Sequence, residues 1–562
     1  MFIHRVRVEN FRAIRSLEAT FGPSFNALIG PGDSGKTTIL DALSYLFHPH
    51  WSLNLTDNDF FGGVPDCEIL IRALVVDPPV ELTADRAFFS HIRGIDLDTG
   101  NEVDEPVDHV PALLCELRIG PDFEPSWKVV CDRHEDGLSL SAANRRKFGV
   151  RRITSSDAHL RWNSVSALQH LTDSTEAQET ETILRAVSRQ ARLTAKDHLK
   201  NLDTSVEHVS EQARLLRAIA SGSSLTAELD ADVAAMTRGS VALHQSGLPV
   251  ARSGLGTRRL VSVGVQTVAA AGANVLLIDE LESGLEPFRI RHLLRLLGSG
   301  DESKRQIVTT THSPVVLREL RFDQLRVLRN NDGILRLLKP TEASQGTLRT
   351  HAEAFLAPRV LVCEGATEVG FSRGLSDLSE RNDPKVLSQV ASASSGGDTK
   401  LVGCANEFKR LEYAVAIFCD ADNDKLDLTG VREGVEIIRC DDGLSIEQQT
   451  IPHLNRAGVV QLMTVARGRE SEDKLVGHLC SAEMAHPDAV AIGSTGLMSD
   501  GSAPTPADTS VIANAAKLGG WFKSIDGGEL LAQLSASPEL SDDRTVLDPF
   551  LDKIIQWCVH GA

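Results

Sequence analysis

Gly30-Pro31-Gly32-Asp33-Ser34-Gly35-Lys36-Thr37 fits the pattern G-x-x-x-x-G-K-[ST] at every fixed position. Upstream, Phe25-Asn26-Ala27-Leu28-Ile29 reads as a short buried strand; downstream, residues 38–47 carry apolar side chains at helical spacing. A loop of this composition between a strand and a helix has a defined chemistry. Its glycines let the backbone wrap an anion, so successive N–H groups and the positive end of the helix cradle phosphates. Gly30, Asp33, Ser34, Gly35, Lys36, Thr37 and Thr38 form the expected nucleotide-binding set. Lys36 would neutralise the β- and γ-phosphates of ATP, and the Thr37 hydroxyl would hold Mg²⁺.

The 562 residues suffice for two or three domains, each with its own core. With 42% apolar and 24% charged residues the composition is that of a soluble globular protein. No apolar run approaches the length of a bilayer span and the N-terminus lacks a signal-peptide core, so the expected location is the cytoplasm, with no membrane partner. The nine cysteines are scattered without a C-x-x-C pair, and Cys363 and Cys419 lie inside apolar strand-like runs. They read as reduced core thiols, not as a disulfide or zinc framework. A formal charge of -19 argues against a protein coated in nucleic acid and leaves room for a local basic groove.

Residues 2–8 alternate apolar and basic and lead into Val8-Glu9-Asn10-Phe11-Arg12. A strand, then Phe-Arg, a second strand and the phosphate loop resembles the head domains of the SMC, Rad50 and RecF class of ABC-type ATPases. The resemblance implies further elements downstream in a fixed order. Ser253-Gly254-Leu255-Gly256-Thr257-Arg258-Arg259-Leu260 stands in the place of the ABC signature, although it departs from L-S-G-G-Q. Ser253, Gly254 and Gly256 would form a second anion cradle that closes on the nucleotide of the opposite subunit, which implies a homodimer or higher homo-oligomer. Asn274-Val275-Leu276-Leu277-Ile278-Asp279-Glu280 is a buried strand ending in two acids. Asp279 would support Mg²⁺ and Glu280 would orient or deprotonate the attacking water. Residues 281–287 take the D-loop position, with Leu281 and Glu286 where relatives more often carry Pro and His. A second buried strand, 306–311, ends at His312-Ser313-Pro314 and matches the switch histidine that senses γ-phosphate.

Between these motifs, residues 67–76 and 112–119 read as strands of an antiparallel sheet flanking the nucleotide core. The basic cluster Arg145-Arg146-Lys147 with Arg151-Arg152 reads as a solvated face, with phosphate-backbone contact as the alternative. Residues 160–240 read as a polar helical insertion, too short for a long coiled-coil arm and suited to self-association.

A second acidic pattern follows residue 350. Arg359-Val360-Leu361-Val362-Cys363-Glu364-Gly365-Ala366-Thr367-Glu368 gives a strand, an acid at its end, a glycine turn and another acid; Tyr413-Ala414-Val415-Ala416-Ile417-Phe418-Cys419-Asp420-Ala421-Asp422 gives a buried strand ending in D-x-D. Strand periodicity puts Asp420 and Asp422 on one side of the chain. If the two strands are neighbours in a parallel sheet, both acidic sets meet at its carboxyl edge. Converging carboxylates repel unless divalent cations sit among them, and oxygen ligands favour Mg²⁺ or Mn²⁺. The constellation resembles a TOPRIM domain, as found in topoisomerases, DnaG-type primases and several nucleases. Asp424 extends the alternation and reads as a solvated acid.

An ABC-type head followed by TOPRIM resembles the OLD (overcoming lysogenization defect) family of ATPase-nucleases, which includes the ATPase-nuclease subunit of Gabija-type anti-phage systems. Leu444-Ser445-Ile446-Glu447-Gln448 matches the place of another acidic ligand, Glu447, and Lys517-Leu518-Gly519-Gly520-Trp521-Phe522-Lys523-Ser524 resembles a late W-F-K element whose lysine, Lys523, faces the metals. The resemblance implies an α/β ABC-type ATPase head over 1–345 and a Rossmann-like TOPRIM domain over 346–562. It further implies an ATP-binding, metal-dependent DNA endonuclease in which Glu364, Glu368, Asp420, Asp422 and Glu447 hold two metals, with the ATPase as regulator or clamp. A role in anti-phage defence or DNA processing and a UvrD-like helicase companion are expectations by family analogy. Two other classes are considered: an ATP-dependent DNA sensor or scaffold that acts through a partner, and a strand-passing or primer-making enzyme. Strand passage requires a nucleophilic tyrosine, and the two tyrosines, Tyr45 and Tyr413, lie in the phosphate-loop helix and at the opening of a buried strand. Primer synthesis usually requires a zinc module that the cysteine spacing does not provide.

Overall fold

The computed structural model describes every residue except 85–87, 98, 105–107, 155–243, 246–247, 253, 270–272, 299–304, 383–388, 423–425, 542–543 and 561–562. The expected helical insertion at 160–240, Ser253 and Asp424 therefore lie outside the described residues. At the N-terminus, β1 (Phe2–Phe11) buries Ile3, Val6, Val8 and Phe11. It reverses at Arg12, whose φ is 49°, into its antiparallel partner β2 (Ile14–Thr20). Every residue of β3 (Phe25–Ile29) is buried, and the phosphate loop joins it to α1 (Lys36–Leu46). Antiparallel strands follow: β4 (Ile69–Val76), β5 (Arg93–Ile95), β6 (Glu102–Val103), β7 (Val110–Ile119), β8 (Pro125–Cys131) and β9 (His134–Ser139). The chain returns through β10 (Val150–Ile153), a small hairpin of β11 (His244–Gln245) and β12 (Leu248–Pro249), and α2 (Leu255–Ala269). It then forms β13 (Val275–Ile278), α3 (Pro287–Leu296), β14 (Gln306–Thr310), β15 (Leu325–Asn331) and β16 (Ile334–Leu338).

Among the described residues the large sheet runs β10-β13-β14-β3-β15-β16-β2-β1-β4-β7-β5-β6, with β8 and β9 branching from β7. Its first five strands are parallel. β13, β14 and β3, covered on both faces, are buried throughout, whereas β2 and β8 alternate because one face meets solvent. The expected antiparallel flank is present as β4 beside β7. The first half of the chain is thus an α/β unit in which a parallel sheet carrying the phosphate loop continues into an antiparallel flank.

The second sheet contains β17 (Arg359–Cys363), β18 (Val390–Ser394), β19 (Ala414–Cys419) and β20 (Glu436–Arg439) in the order β18-β17-β19-β20, all parallel. Helices α4 (Ala366–Asn382) and α5 (Asp398–Arg410) make its first two crossovers. After β20 come α6 (Ile446–Thr450), α7 (Pro506–Gly519) and α8 (Ile525–Ala536). α4 and α8 approach until backbone meets backbone: a Cβ on Gly370 would collide with the Ile525 carbonyl, and one on Gly528 with the Thr367 carbonyl.

The two sheets share one apolar cluster, in which Phe25, Leu325 and Val327 pack with Val360, Val362 and Phe408. A polar bracket sits beside it. The Glu407 carboxylate accepts from the Thr341 amide at 2.7 Å, the Ser344 hydroxyl at 2.9 Å and Arg410 at 2.9 Å. Burial pushes the Glu407 pKa up, but these donors outweigh it and bring the group down to about 2.

Candidate functional site

The phosphate loop lies where β3 ends and α1 begins, so its amides converge at a helix N-terminus. Gly35 has φ 95° and a Cβ there would stand 2.9 Å from Leu335, so only glycine fits. Lys36 Nζ folds back onto the loop, donating to the carbonyls of Gly30 at 3.0 Å and Pro31 at 2.7 Å and to Ser34 Oγ at 3.3 Å. Burial lowers its pKa, with Asp33, Asp279 and Glu280 opposing. A phosphate is a better partner for that ammonium than two carbonyls, and Lys36 is poised to turn toward one.

Parallel register delivers the other parts. Thr37 Oγ1 donates to Asp279 Oδ1 at 3.2 Å, and Thr310 Oγ1 donates to the same oxygen at 2.6 Å. The amide of Glu280 donates to Thr310 Oγ1 at 2.8 Å. Glu280 is exposed at φ 46°, a region that costs a non-glycine residue about 1 kcal/mol and is held here by the strand ends. His312 is exposed just beyond β14. Its amide donates to Glu282 Oε1 at 2.7 Å, and Thr311 Oγ1 donates to Glu282 Oε2 at 2.8 Å, so one carboxylate fixes the histidine-bearing loop. The sequence pattern marked Glu282 only as part of the D-loop. Gly254 lies exposed ahead of α2, while Gly256 is buried against Glu286 and Arg289.

The basic cluster divides in a way that the charge run does not suggest. Arg145 is 2% exposed; it stacks on Trp127 at 3.8 Å and donates to the carbonyls of His48, Leu140 and His50. It is a core strut, which corrects the reading as a solvated face; Lys147 and Arg151 do face solvent. Arg152 enters the nucleotide site, with its guanidinium 3.4 Å from Asp279 Oδ2 and paired with Asp41. Asp41 also takes Arg12, which holds Asp59 at 2.9 Å and the Tyr45 hydroxyl at 3.0 Å. Arg259 of α2, 4% exposed, donates to the carbonyls of Asp279 at 3.2 Å and Glu280 at 3.3 Å. Burial lowers the pKa of both Arg152 and Arg259, and the charge of Asp279 opposes it.

At the second sheet, β17 and β19 are neighbours with Cys363 opposite Phe418, and Glu364 donates its amide to the Phe418 carbonyl at 3.1 Å. Glu364 and Asp420 thus leave adjacent strand ends together. Glu368, 5% exposed in the first turn of α4, accepts from the Gly365 amide at 2.8 Å. Asp420 Oδ1 accepts from the Ile446 amide at 3.0 Å, which ties it to α6, where buried Glu447 accepts from Ser445 Oγ at 3.0 Å. The electrostatics confirm that these groups share one field. Burial raises Glu364 to about 9, with Asp398, Asp420 and Glu368 adding to the effect. Asp420 rises to about 8 through burial and then Glu368, Glu447 and Asp422. Burial raises Glu368 to about 7 against its backbone hydrogen bonds, and Glu447 and Asp422 reinforce the rise. The five predicted acids converge, and Asp398, the first residue of α5, joins them unpredicted. The donor set is carboxylate oxygen, which fits a hard divalent cation such as Mg²⁺ or Mn²⁺. Cys440 Sγ stands 3.8 Å from Asp420 Oδ1, and burial holds the thiol protonated, outside the ligand set.

Lys517 stands beside these acids, its Nζ 2.8 Å from Asp422 Oδ2 and donating to Gln448 Oε1 at 3.1 Å, and Arg439 Nε donates to the Asp420 carbonyl at 3.4 Å. α7 ends at Gly519, Gly520 turns the chain at φ 61°, and Trp521 and Phe522 enter the core, leaving Lys523 exposed beside a pocket lined by Arg469, Glu470 and Ser524. The tyrosines are both engaged: Tyr413 is buried, donates to the Phe355 carbonyl at 2.6 Å and lies under Arg329, while the Tyr45 hydroxyl is held by Arg12.

Comparison with known proteins adds lineage to this geometry. The OLD nuclease of Thermus scotoductus is 26% identical over 354 residues, 58% of this chain and 62% of that protein. The DNA replication and repair protein RecF of Erwinia tasmaniensis is 28% identical over 158 residues, 26% of this chain and 44% of that protein. The chain thus covers less than two thirds of either relative. A solved structure of the SmcHead bound to the C-winged helix domain of ScpA aligns with 60% of this chain and 97% of that one at 16% identity, with a TM-score of 0.34, too loose to inform the geometry. No helix among the described residues is long and apolar enough to cross a membrane. The family model described as "AAA domain, putative AbiEii toxin, Type IV TA system" matches residues 25–318, over half of the chain, and the protein belongs to this AAA-domain family.

Proposed function

We propose that the chain is an OLD-like, ATP-regulated DNA endonuclease, with the ATPase head in residues 1–345 and a TOPRIM-type nuclease domain in 346–562. The observation that carries this reading is the convergence of Glu364, Glu368, Asp420, Asp422, Glu447 and Asp398 at the carboxyl edge of a parallel sheet, in a chain whose first half is an ATPase. Divalent cations held there would activate water and stabilise the leaving oxygen of a phosphodiester. The chain's own residues do the rest. Ile446 and Gly365 amides orient Asp420 and Glu368, and Lys517 supplies the positive charge that faces the scissile phosphate, the role that the sequence motif suggests for Lys523.

In the ATPase half, Lys36, Thr37 and Asp279 would hold nucleotide and Mg²⁺, Glu280 would act on the attacking water, and His312, fixed through Glu282, would sense the γ-phosphate. Gly254 and Gly256 would offer the opening of α2 to the nucleotide of a second copy. DNA and a second copy of this chain are the proposed partners. The comparisons lend no support to a helicase companion, and the proposal includes none. The engaged tyrosines leave strand passage without a nucleophile.

The test is cleavage of plasmid and linear DNA by the purified full chain in Mg²⁺ or Mn²⁺, with and without ATP, beside Glu364→Ala. Cutting that the variant lacks supports the nuclease. Intact ATP hydrolysis with no cutting under any condition replaces it with the sensor or scaffold reading.

A further inference from the structure

Away from both sites, the antiparallel flank brings His91, Cys131 and His134 together, and their candidate ligand atoms all lie within 4.8 Å of one another. The β8–β9 hairpin supplies two of them, because Cys131 and His134 pair across its turn. The third comes from the short helical turn Phe89–His91. Polar contacts hold the two pieces in register. Arg133, inside the hairpin turn, donates to the carbonyls of Ser90 at 3.0 Å and Ile92 at 2.7 Å, on either side of His91. Next to them, Arg93 meets Asp132 at 2.6 Å.

His91 is 3% exposed; its Nδ1 pairs with the Ser90 hydroxyl at 2.9 Å, and its buried Nε2 has no partner of hydrogen-bond geometry, although the Asp136 backbone lies close enough to the ring to oppose the lowering of its pKa by burial. Leaving such a nitrogen unpaired costs free energy, so the arrangement asks for an occupant. One ring nitrogen held by a hydrogen bond and the other free is the usual state of a metal-ligating histidine. Cys131 is a buried free thiol, and exposed His134 lays its ring over that of His91 with centroids 4.9 Å apart. A thiolate and two imidazoles are the donor set of Zn²⁺, unlike the carboxylates of the acidic site. Metal–ligand bonds of about 2.0–2.3 Å place tetrahedral ligands about 3.5 Å apart. Ring nitrogens donate in the ring plane, so ligation requires the exposed His134 ring to swing out of its stack on His91, a side-chain rotation open to a surface residue.

We propose that His91, Cys131 and His134 bind one Zn²⁺ ion, with the fourth position taken by water, and that the ion fastens the β8–β9 hairpin to the 89–93 segment. The full chain would be loaded with Zn²⁺, desalted and its metal counted by mass spectrometry, with Co²⁺ as the spectroscopic probe. Wild type is expected to retain one Zn²⁺ more per chain than His134→Ala or Cys131→Ala, and to show a thiolate-to-Co²⁺ charge-transfer band that both variants lack. Glu364→Gln keeps the ion and the band, which separates this site from the acidic one. Zn²⁺ is expected to raise the melting temperature of wild type and not of His134→Ala, a surface change that leaves the fold intact. Equal zinc and equal Co²⁺ spectra in wild type and both variants, or no zinc retained by wild type, would overturn the assignment.

Discussion

Metal binding at the acidic cluster should expel protons, and the number can be worked from the site. Without metal, Glu364, Asp420 and Glu368 titrate near 9, 8 and 7. Groups raised this far together hold about two protons at pH 7. Divalent cations bind the ionised carboxylates, so loading must release about two protons per chain. Apparent affinity for Mg²⁺ or Mn²⁺ should then rise roughly a hundredfold per pH unit around neutrality. Calorimetric titration of nucleotide-free protein in buffers of different ionisation enthalpy reads the proton count directly. Glu364→Gln should lower it by about one. The sign for stability follows from the same shifts. Because these folded-state values lie above the unfolded ones, the folded chain binds more protons, so the metal-free protein loses stability as pH rises from about 5 to about 9. Metal restores it. Heats independent of buffer, or metal affinity flat from pH 6 to 9, would refute the reasoning.

Lys517→Ala should reduce cleavage by a factor of about a hundred, as expected for a lost charge-stabilising contact, while Lys523→Ala stays near wild type; a nuclease assay of the two variants distinguishes the lysines. Arg152→Ala removes the guanidinium between Asp41 and Asp279 and should destabilise the ATPase half by about 2–3 kcal/mol, seen as a lower melting temperature that nucleotide partly restores. Glu407→Ala removes the acceptor for Thr341, Ser344 and Arg410 and should cost about 2–3 kcal/mol at neutral pH. Because the folded pKa of Glu407 is depressed to about 2, its contribution is complete above the ordinary carboxylate value and is lost as pH falls from about 5 to about 2, so wild type and variant should converge in acid. Denaturation followed across that pH range checks it.

The phosphate loop, the Asp279-Glu280 strand end and His312 were legible because each is a short contiguous pattern whose strand or helix can be read from its own neighbours. The acids were legible for a related reason: Glu364 and Asp420 end apolar strands, and a parallel sheet leaves its strand ends on one edge. What was missed depends on contacts distant in sequence. Arg145 in a run of charges gives no sign of Trp127, 3.8 Å from it in the fold. Asp398 reaches Glu364 only because α5 begins beside that strand end. Lys517 and Lys523 flank the same turn, and nothing in their neighbouring residues signals that Lys517 ends 2.8 Å from Asp422. Cys131 and His134 span one hairpin turn, but His91 comes from another segment, and a search for paired cysteines does not see the set.

The central claim, a DNA-cutting acidic site governed by a separate ATPase in one chain, is tested most directly by comparing Asp420→Asn with Lys36→Ala. Plasmid cleavage in Mn²⁺ and ATP hydrolysis would be measured on the same preparations. The account predicts that Asp420→Asn abolishes cutting and keeps ATP hydrolysis, whereas Lys36→Ala abolishes hydrolysis and leaves cutting that no longer responds to ATP. Cutting by Asp420→Asn at the wild-type rate would contradict it.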